Sequence, residues 1–359
     1  MGYKAIEISD DFCGGNIKII SSFGDEIHLT PDLRGGDDWF YWAFCIKNAN
    51  GKTINFDFDG KCCVGYFGPA ISHDLEKWKW HDDIGDSSSF SYTFSENESA
   101  VYFAHHMLYH PKRFAAFANK RGLELKELCI SEKGRSIPYA EFGSGSKKIM
   151  LTARHHACES TGNYFLEGVL DRLIDSLPED YSVFCVPFVD YDGSVDGDQG
   201  KNRYPHDHNR DYNLITEPLY NSVKQIRDYA LSHEIAFGLD FHSPWHFGGR
   251  NDKAFIVHSG FKKQKNLIRF AKLFEKAITD KTFVYCREND CPPDFEWNKM
   301  GTPSFSQFTD SLESSEFGIS METAYFGEEG NAFSESNVIE TGKCFAYALH
   351  DYIKTKNEF

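Results

Sequence analysis

The chain has 359 residues, enough for one large domain or two ordinary ones, and enough to bury a substantial core without disulfide staples. Hydrophobic residues make up 41% and charged residues 26%, which excludes a disordered tail protein. Lys and Arg number 38 against 54 Asp and Glu, and the resulting charge of −16 repels phosphate backbones and anionic lipid, so nucleic-acid and membrane-surface binding are disfavoured.

The start, MGYKAIEISDDF, shows no basic region followed by an apolar core, so no secretory signal is expected. Ile6 stands where a myristoylation pattern needs Ser or Thr. No apolar run of about 18 residues is present to span a bilayer. A cytoplasmic, reduced protein follows as the expectation, with most of the ten cysteines acting as small core hydrophobes. Cys62 and Cys63 are adjacent and poorly placed to bond to each other; Cys286 and Cys291 could hold a metal but have no second pair nearby.

In chain order, residues 1–105 read as short strands with turns. Segments 38–47 (DWFYWAFCIK), 53–60 (TINFDFDG), 89–96 (SFSYTFSE) and 100–107 (AVYFAHHM) alternate or are rich in aromatics. Gly- and Asp-rich turns at 33–38 and 58–65 separate them. The pattern predicts an N-terminal antiparallel β-sandwich.

Residues 106–359 read differently. Segment 111–122 has Pro near its start and Gly at its end, both helix punctuation marks. Strand 147–154, helix 161–177, strand 180–190, helix 217–234, strand 235–242, strand 252–259, helix 262–280, strand 316–327 and helix 337–354 follow. Alternating β and α segments imply an α/β domain, a sheet with helices on both faces, with the chemistry beyond the carboxyl ends of its strands.

The polar residues at those ends form a pattern. His156 and Glu159 have the H-x-x-E spacing, about one helical turn, so both side chains can point the same way. An imidazole and a carboxylate suit zinc, which needs one further protein ligand and an open position. His242, at the end of strand 235–242, is placed to supply that ligand. Arg203 and Arg210 lie in a polar stretch, where arginines beside a metal site call for an anionic partner. In the same stretch His206-x-His208 is a further possible ligand pair, and surface salt bridges are the plainer reading of the loop. Glu322 puts a carboxylate in an apolar strand, a cost unless it is paired or functional; beside a zinc-bound water it fits a general base. Cys158, next to Glu159, fits a small residue turned inward better than a nucleophile or ligand.

Taken in order, these residues resemble the zinc carboxypeptidases of peptidase family M14, specifically the cytosolic carboxypeptidase subfamily. LTARHHACE (151–159) is similar to the subfamily's TARVHPGE, which selects His156 over His155. VPFVDYDGSV (186–195), Asp207-His208-Asn209-Arg210, DFHSP (240–244) and METAYFG (321–327) resemble its later motifs, and VYFAH (101–105) with WFYWAF (39–44) resembles its upstream sandwich. The resemblance implies a mixed carboxypeptidase-type sheet flanked by helices behind the sandwich, with zinc on His156, Glu159 and His242. It further implies Glu322 as the base, Arg203 as the group polarising the scissile carbonyl, and Asn209 and Arg210 as holders of the substrate's terminal carboxylate. It implies a peptide or protein C-terminal tail as substrate, with an acidic terminal residue as in the eukaryotic subfamily, and Arg250 or Lys253 as candidates for a basic pocket. Three features depart from the pattern: His-Ala-Cys-Glu replaces H-P-G-E, Arg203 and Arg210 lie close together, and no Tyr occurs between Tyr285 and Tyr325 to serve as a substrate cap. Competing readings are a zinc amidohydrolase acting on small N-acyl amino acids and a catalytically inactive binding protein of the same fold.

Overall fold

The structure, a computed structural model, describes residues 5–34, 40–59, 63–81 and 88–355. The first two residues of the strand expected at 38–47, most of the 33–38 turn, and residues 60–62 with Cys62 lie outside them.

The N-terminal part is a two-sheet sandwich. One sheet runs Glu7–Ser9, Ala43–Lys47, Ala100–Ala104, Ala70–Ser72, Lys79–Trp80; the other runs Lys18–Phe23, Glu26–Thr30, Thr53–Phe58, Ser89–Thr93. Alternation decides which face is buried: Ile54, Phe56 and Phe58 point inward, and Thr53, Asn55 and Asp57 do not. The inner layer is largely aromatic, with Phe56 4.7 Å from Phe90 and 5.4 Å from Phe44 and Phe103 between ring centroids. One pairing departs from the expected antiparallel order. Glu26–Thr30 and Thr53–Phe58 are parallel, because the chain crosses to the other sheet through Ala43–Lys47 before it returns.

The second part is built on a seven-stranded sheet in the order Leu125–Ile130, Ser136–Gly143, Tyr181–Val186, Lys147–Ala153, Glu234–His242, Phe317–Glu322, Phe255–His258. The four middle strands from Tyr181–Val186 to Phe317–Glu322 are mutually parallel, and the strands flanking them run antiparallel. Both faces are covered. Ile149 and Leu151 pack with Phe165, Phe270 and Phe345 from the helices Thr161–Ser176, Gln264–Ala277 and Glu335–Lys354. Met150, between them in sequence, packs on the other side with Val223 and Ile226 of Asn221–Ser232 and Phe308 of Phe305–Ser311. Helix Pro111–Lys120 carries Pro at its first position and Gly122 in the left-handed region at φ +67°, so both punctuation marks act as expected. The Leu125–Ile130/Ser136–Gly143 hairpin was not predicted. Its outer strand is mostly solvated and is interrupted by a bulge between Glu127 and Cys129, which erases any alternation.

The nine described cysteines are free. Among the described residues no helix is long and apolar enough to cross a membrane. The largest apolar cluster is continuous between the two parts: Phe40, Tyr41, Trp80 and Met107 belong to it together with Phe188, Tyr325 and Phe326.

Candidate active site

Parallel pairing brings the site together. His242 and Glu322 are direct register partners at the carboxyl ends of adjacent strands, and Ala153 ends the next strand beside Phe241. The chain then turns sharply, with Arg154 at φ +61°, and presents His156 and Glu159 above the sheet. Gly200 allows this turn to be covered: at φ +80°, a Cβ there would lie 2.2 Å from the Ala157 nitrogen.

The three expected ligands converge. His156 Nδ1 lies 2.9 Å from Glu159 Oε1, and His242 Nδ1 lies 2.6 Å from Glu159 Oε2. One donor atom from each residue falls within 4.8 Å of the others, and all three residues are buried. Burial alone would push both imidazoles toward neutrality, but Glu159 and Asp207 raise the pKa of His156, and Asp240 and Glu159 raise that of His242 well above the ordinary value. Burial likewise opposes ionisation of Glu159, yet His156, Lys201 and His242 hold its carboxyl well below the usual range. Two imidazoles and a carboxylate, buried and convergent, fit a metal ion.

His155, Asp240 and His242 form a second convergent group that shares His242. Its polar atoms are already engaged. Asp240 Oδ1 accepts from Thr152 Oγ1 and lies 2.8 Å from His155 Nδ1, its Oδ2 is 2.5 Å from His242 Nε2, and His155 Nε2 is 2.7 Å from the Tyr212 hydroxyl. This group orients His242 from behind and leaves its Nδ1 for the front cluster. His156 has its own support, with Nε2 3.6 Å from Asp207.

Glu322 is buried, and its Oε2 has no hydrogen-bond partner among the described residues. Burial pushes its carboxyl up to about 7; the charge on His242 opposes this and that on Glu159 adds to it. His156, His242, Glu322, Asn209 and the exposed Arg210 line one pocket, together with Lys299, Ser306, Ser320 and half-exposed Trp297. Asn209 is fixed by the Phe305 amide on Oδ1 and places Nδ2 3.2 Å from His242 Nε2.

Other sequence candidates go elsewhere. Arg203 ion-pairs with Asp190 at 2.7 Å and Asp198 at 3.1 Å, and it is not among the residues lining that pocket. His208 stacks on Tyr220, and His206 bonds Asp211, so they form no ligand pair. Cys158 is buried 3.6 Å from the Tyr325 hydroxyl, its thiol pushed up to about 11 by burial, as an inward-turned residue should be. Arg250 is spent on the Asn289 and Asp290 carbonyls and Lys253 lies 3.6 Å from Glu328, so neither lines the pocket.

The structure compares closely with a metallo-carboxypeptidase from Burkholderia cenocepacia, at TM-score 0.80 and 18% identity over 98% of this chain and 100% of that one. The chain has the metallo-carboxypeptidase fold. The same fold relates it to a Pseudomonas aeruginosa metallo-carboxypeptidase solved with (2-guanidinoethylmercapto)succinic acid, at TM-score 0.78 and 18% identity over 97% of this chain and 99% of that one. Among curated proteins, cytosolic carboxypeptidase 2 of Xenopus tropicalis is 23% identical over 304 residues and that of Danio rerio 21% over 324; these segments cover 74% and 84% of this chain but only 30% and 40% of those proteins. An uncharacterized protein of Zymomonas mobilis is 24% identical over 255 residues, 66% of this chain and 67% of its own length. No family model matches.

Sequence reasoning missed several residues around this candidate site. Asp240 carried the same signal as Glu322, a carboxylate in an apolar strand, and could have been found by it. Lys201 lies 2.5 Å from Glu159 Oε1 and was passed over in favour of Arg203. Ser306, Ser320 and Lys299 come together only in the fold.

Proposed function

We propose that this chain is a zinc-dependent metallocarboxypeptidase that removes the C-terminal residue of peptides or proteins. The observation that carries the reading is one pocket lined by His156, His242, Glu322 and Arg210, with Glu159 converging on the two histidines and Glu322 the register partner of His242. His156, Glu159 and His242 would hold the ion, a His₂Glu set with room for a fourth position. Zinc held there supplies Lewis acidity and lowers the pKa of an attacking water.

The chain's own residues do the rest. Arg210, at the exposed edge, pairs with the substrate's terminal carboxylate, and Asn209 stands beside it. An amidated or internal segment would leave that guanidinium without its anion, which favours release from the free end. Glu322 Oε2, which has no hydrogen-bond partner among the described residues, takes a proton from the attacking water as the water oxygen bonds the carbonyl carbon. The same carboxyl then gives the proton to the departing amine nitrogen as the C–N bond breaks. The network His155–Asp240 holds His242 in place throughout.

Within this reading the terminal residue is acidic. Glu322 is the sole carboxylate among the described lining residues, and the lining also includes Lys299 and the hydroxyl residues Thr302, Ser304, Ser306 and Ser320. The free cysteines and the names of the two vertebrate relatives support a cytoplasmic setting. The test is direct. Zinc-loaded protein is incubated with peptides ending in Glu, Lys, Phe or an amide, and loss of the last residue is followed by mass spectrometry. Release from free acids with Glu fastest is expected. Equal cleavage of the amide refutes the exopeptidase reading, and release only from N-acyl amino acids replaces it with an amidohydrolase.

A further inference from the structure

One loop supplies five of the pocket's lining residues. Trp297, Asn298, Lys299, Thr302 and Ser304 all belong to the connection between Cys291 and helix Phe305–Ser311. Asp294 and Glu296 stand in the left-handed region there, at φ +60° and +48°, a conformation that side chains other than glycine rarely adopt. Within residues 292–301 Asn298 alone is buried, while Phe295, Glu296, Trp297 and Lys299 around it are exposed. Buried apolar side chains are the usual anchors of a segment. Here the anchor is a carboxamide. Asn298 Nδ2 donates to the carbonyls of His258 at 2.9 Å, Pro292 at 3.0 Å and Cys291 at 3.3 Å. Two N–H groups serve three carbonyls, so one bond is shared. The acceptors are themselves fixed. His258 ends strand Phe255–His258, and Cys291 is laddered onto that strand, its amide donating to the Ile256 carbonyl at 2.8 Å and its carbonyl accepting from the His258 amide at 2.9 Å. The strand pairs in turn with Phe317–Glu322, Val257 opposite Ser320 and Phe255 opposite Glu322. Asn298 therefore ties the exposed loop to the strands whose residues Val257, Ser320 and Glu322 line the same pocket.

We propose that Asn298 is a positioning residue for substrate selectivity: it fixes the loop so that its neighbours Trp297 and Lys299 meet the side chain of the substrate's terminal residue. The assignment rests on the peptidase reading above, in which a terminal residue with its carboxylate at Arg210 occupies this pocket. The Asn298 amide nitrogen is committed to the backbone, so the residue acts through its neighbours. Lys299 Nζ donates to the Asp294 carbonyl at 3.4 Å and has two further N–H groups to offer an acidic side chain. The loop holds that ammonium in place only while its own backbone is held, and the carboxamide is the buried group that holds it.

The test uses the full-length, zinc-loaded chain and the variants Asn298→Ala, Asn298→Ser and Lys299→Ala. Melting temperature and zinc per chain are measured first. Two peptides that differ only in the last residue, Glu or Ala, isolate the selectivity, since an alanine methyl offers Lys299 no carboxylate. For Asn298→Ala the Glu-over-Ala ratio of kcat/KM is expected to fall about 10–100-fold, carried mainly by KM, as for a contact group displaced by about 1 Å. Asn298→Ser keeps one donor and should fall less; it decides the question if the alanine variant does not fold. In the Lys299→Ala background, adding Asn298→Ala should move the ratio by less than about threefold, because the contact being positioned is already gone. Without substrate, amide hydrogen exchange across residues 293–303 should quicken about tenfold or more in Asn298→Ala. A Glu-over-Ala ratio unchanged in the folded variants overturns the assignment, even if both activities fall together, since the residue would then serve only general structure. Full additivity with Lys299→Ala overturns it, and so does unchanged exchange in the loop. A wild type that releases Glu no better than Ala removes the role given to Lys299 and overturns it too. A wild type that releases no terminal residue refutes the peptidase reading itself; that failure shows in the wild type, whereas failure of the Asn298 assignment shows in the variants of an active enzyme.

Discussion

The Glu322→Gln variant tests the chemistry most directly. The carboxylate is buried at a strand end, is the register partner of His242, and has an oxygen without a hydrogen-bond partner among the described residues. Glutamine keeps the shape and removes the base. A positioned general base contributes about 10²–10⁴ in rate, so kcat should fall by that factor, about 3–5 kcal/mol of barrier. Zinc content should not change, because Glu322 is outside the group of three that converge on one point. The structure makes a second, opposite claim about stability. Burial raises the Glu322 carboxyl to about 7, above its unfolded value, so the folded state prefers the protonated form. That contribution is fully present below about pH 4.5 and is lost as pH rises through about 7. An amide has no proton to lose. Chelator-treated Glu322→Gln should therefore match wild type near pH 5 and exceed it at pH 8, by a few kcal/mol at most (~1.4 kcal/mol for each tenfold change in proton affinity on folding). Turnover on a peptide ending in Glu, zinc by mass spectrometry, and denaturant melts at the two pH values are the assays. A variant retaining more than about a tenth of wild-type kcat would show that another base is at work, and a stability gap that shrinks with rising pH would refute the electrostatic account.

Arg210→Ala should abolish the preference for a free terminal carboxylate. A charge-assisted bond worth about 1.5–3 kcal/mol corresponds to roughly 10- to 150-fold in kcat/KM on the free acid, with little change on the amide; equal losses on both would remove Arg210 from substrate binding. Asp240→Asn should weaken zinc binding about 10–100-fold, because one amide cannot accept from both His155 and His242 as the carboxylate does; unchanged affinity in a competition with a chromogenic chelator would refute the orienting role. Zinc uptake should expel protons at neutral pH. Against the pull of burial, Glu159 with Asp207 raises His156 and Asp240 with Glu159 raises His242, so each ring keeps a proton to higher pH than an ordinary histidine of about 6.5. Metal affinity should accordingly start to fall above that pH as the solution is acidified. Calorimetric titrations in two buffers of different ionisation enthalpy measure the protons released, and a value of zero would refute the shifts.

The residues that lie at strand ends were legible in the sequence, because a buried strand is short, apolar and bounded, and its terminus is a definite place. That is why spacing and one misplaced charge singled out His156, Glu159, His242 and Glu322, four residues that the fold brings together. The surroundings of Arg203, ion-paired to Asp190 and Asp198, were not legible for a physical reason. Side-chain direction in an irregular loop depends on backbone dihedrals, and Gly200 and Asn202 in that loop are both left-handed. No periodicity reports such a turn. The candidate pocket was illegible for a different reason. Val257, Lys299, Ser306 and Ser320 come from separate elements, one of them the unpredicted helix Phe305–Ser311, and only the fold gathers them. The parallel pair in the sandwich escaped because alternation tells which face a strand buries but not which way its neighbour runs.

The N-terminal sandwich is bonded directly to the segments that carry the candidate site. Three buried histidines bridge the two parts. His106 Nε2 lies 2.9 Å from the Cys158 carbonyl, which can only accept, so that nitrogen carries the proton. His106 Nδ1 must then accept from His105 Nδ1 at 3.0 Å, and His105 Nε2 from His246 Nδ1 at 3.2 Å. Burial keeps His106 and His105 neutral, as this one-directional chain requires. The relay fixes the backbone between the ligands His156 and Glu159 and ties it to His246, four residues past His242. On the other flank Asn16 Nδ2 donates to the Gly197 carbonyl at 2.7 Å, the Gly14 amide to Val195 at 2.8 Å, and Arg34 pairs with Asp198 at 3.0 Å. These bonds grip the loop that carries Lys201. A catalytic group displaced by about 1 Å can cost about 10²-fold in rate, so a site assembled from loops needs a rigid surround. The sandwich supplies it by holding, from outside the sheet, the two segments whose conformation the sheet alone does not determine.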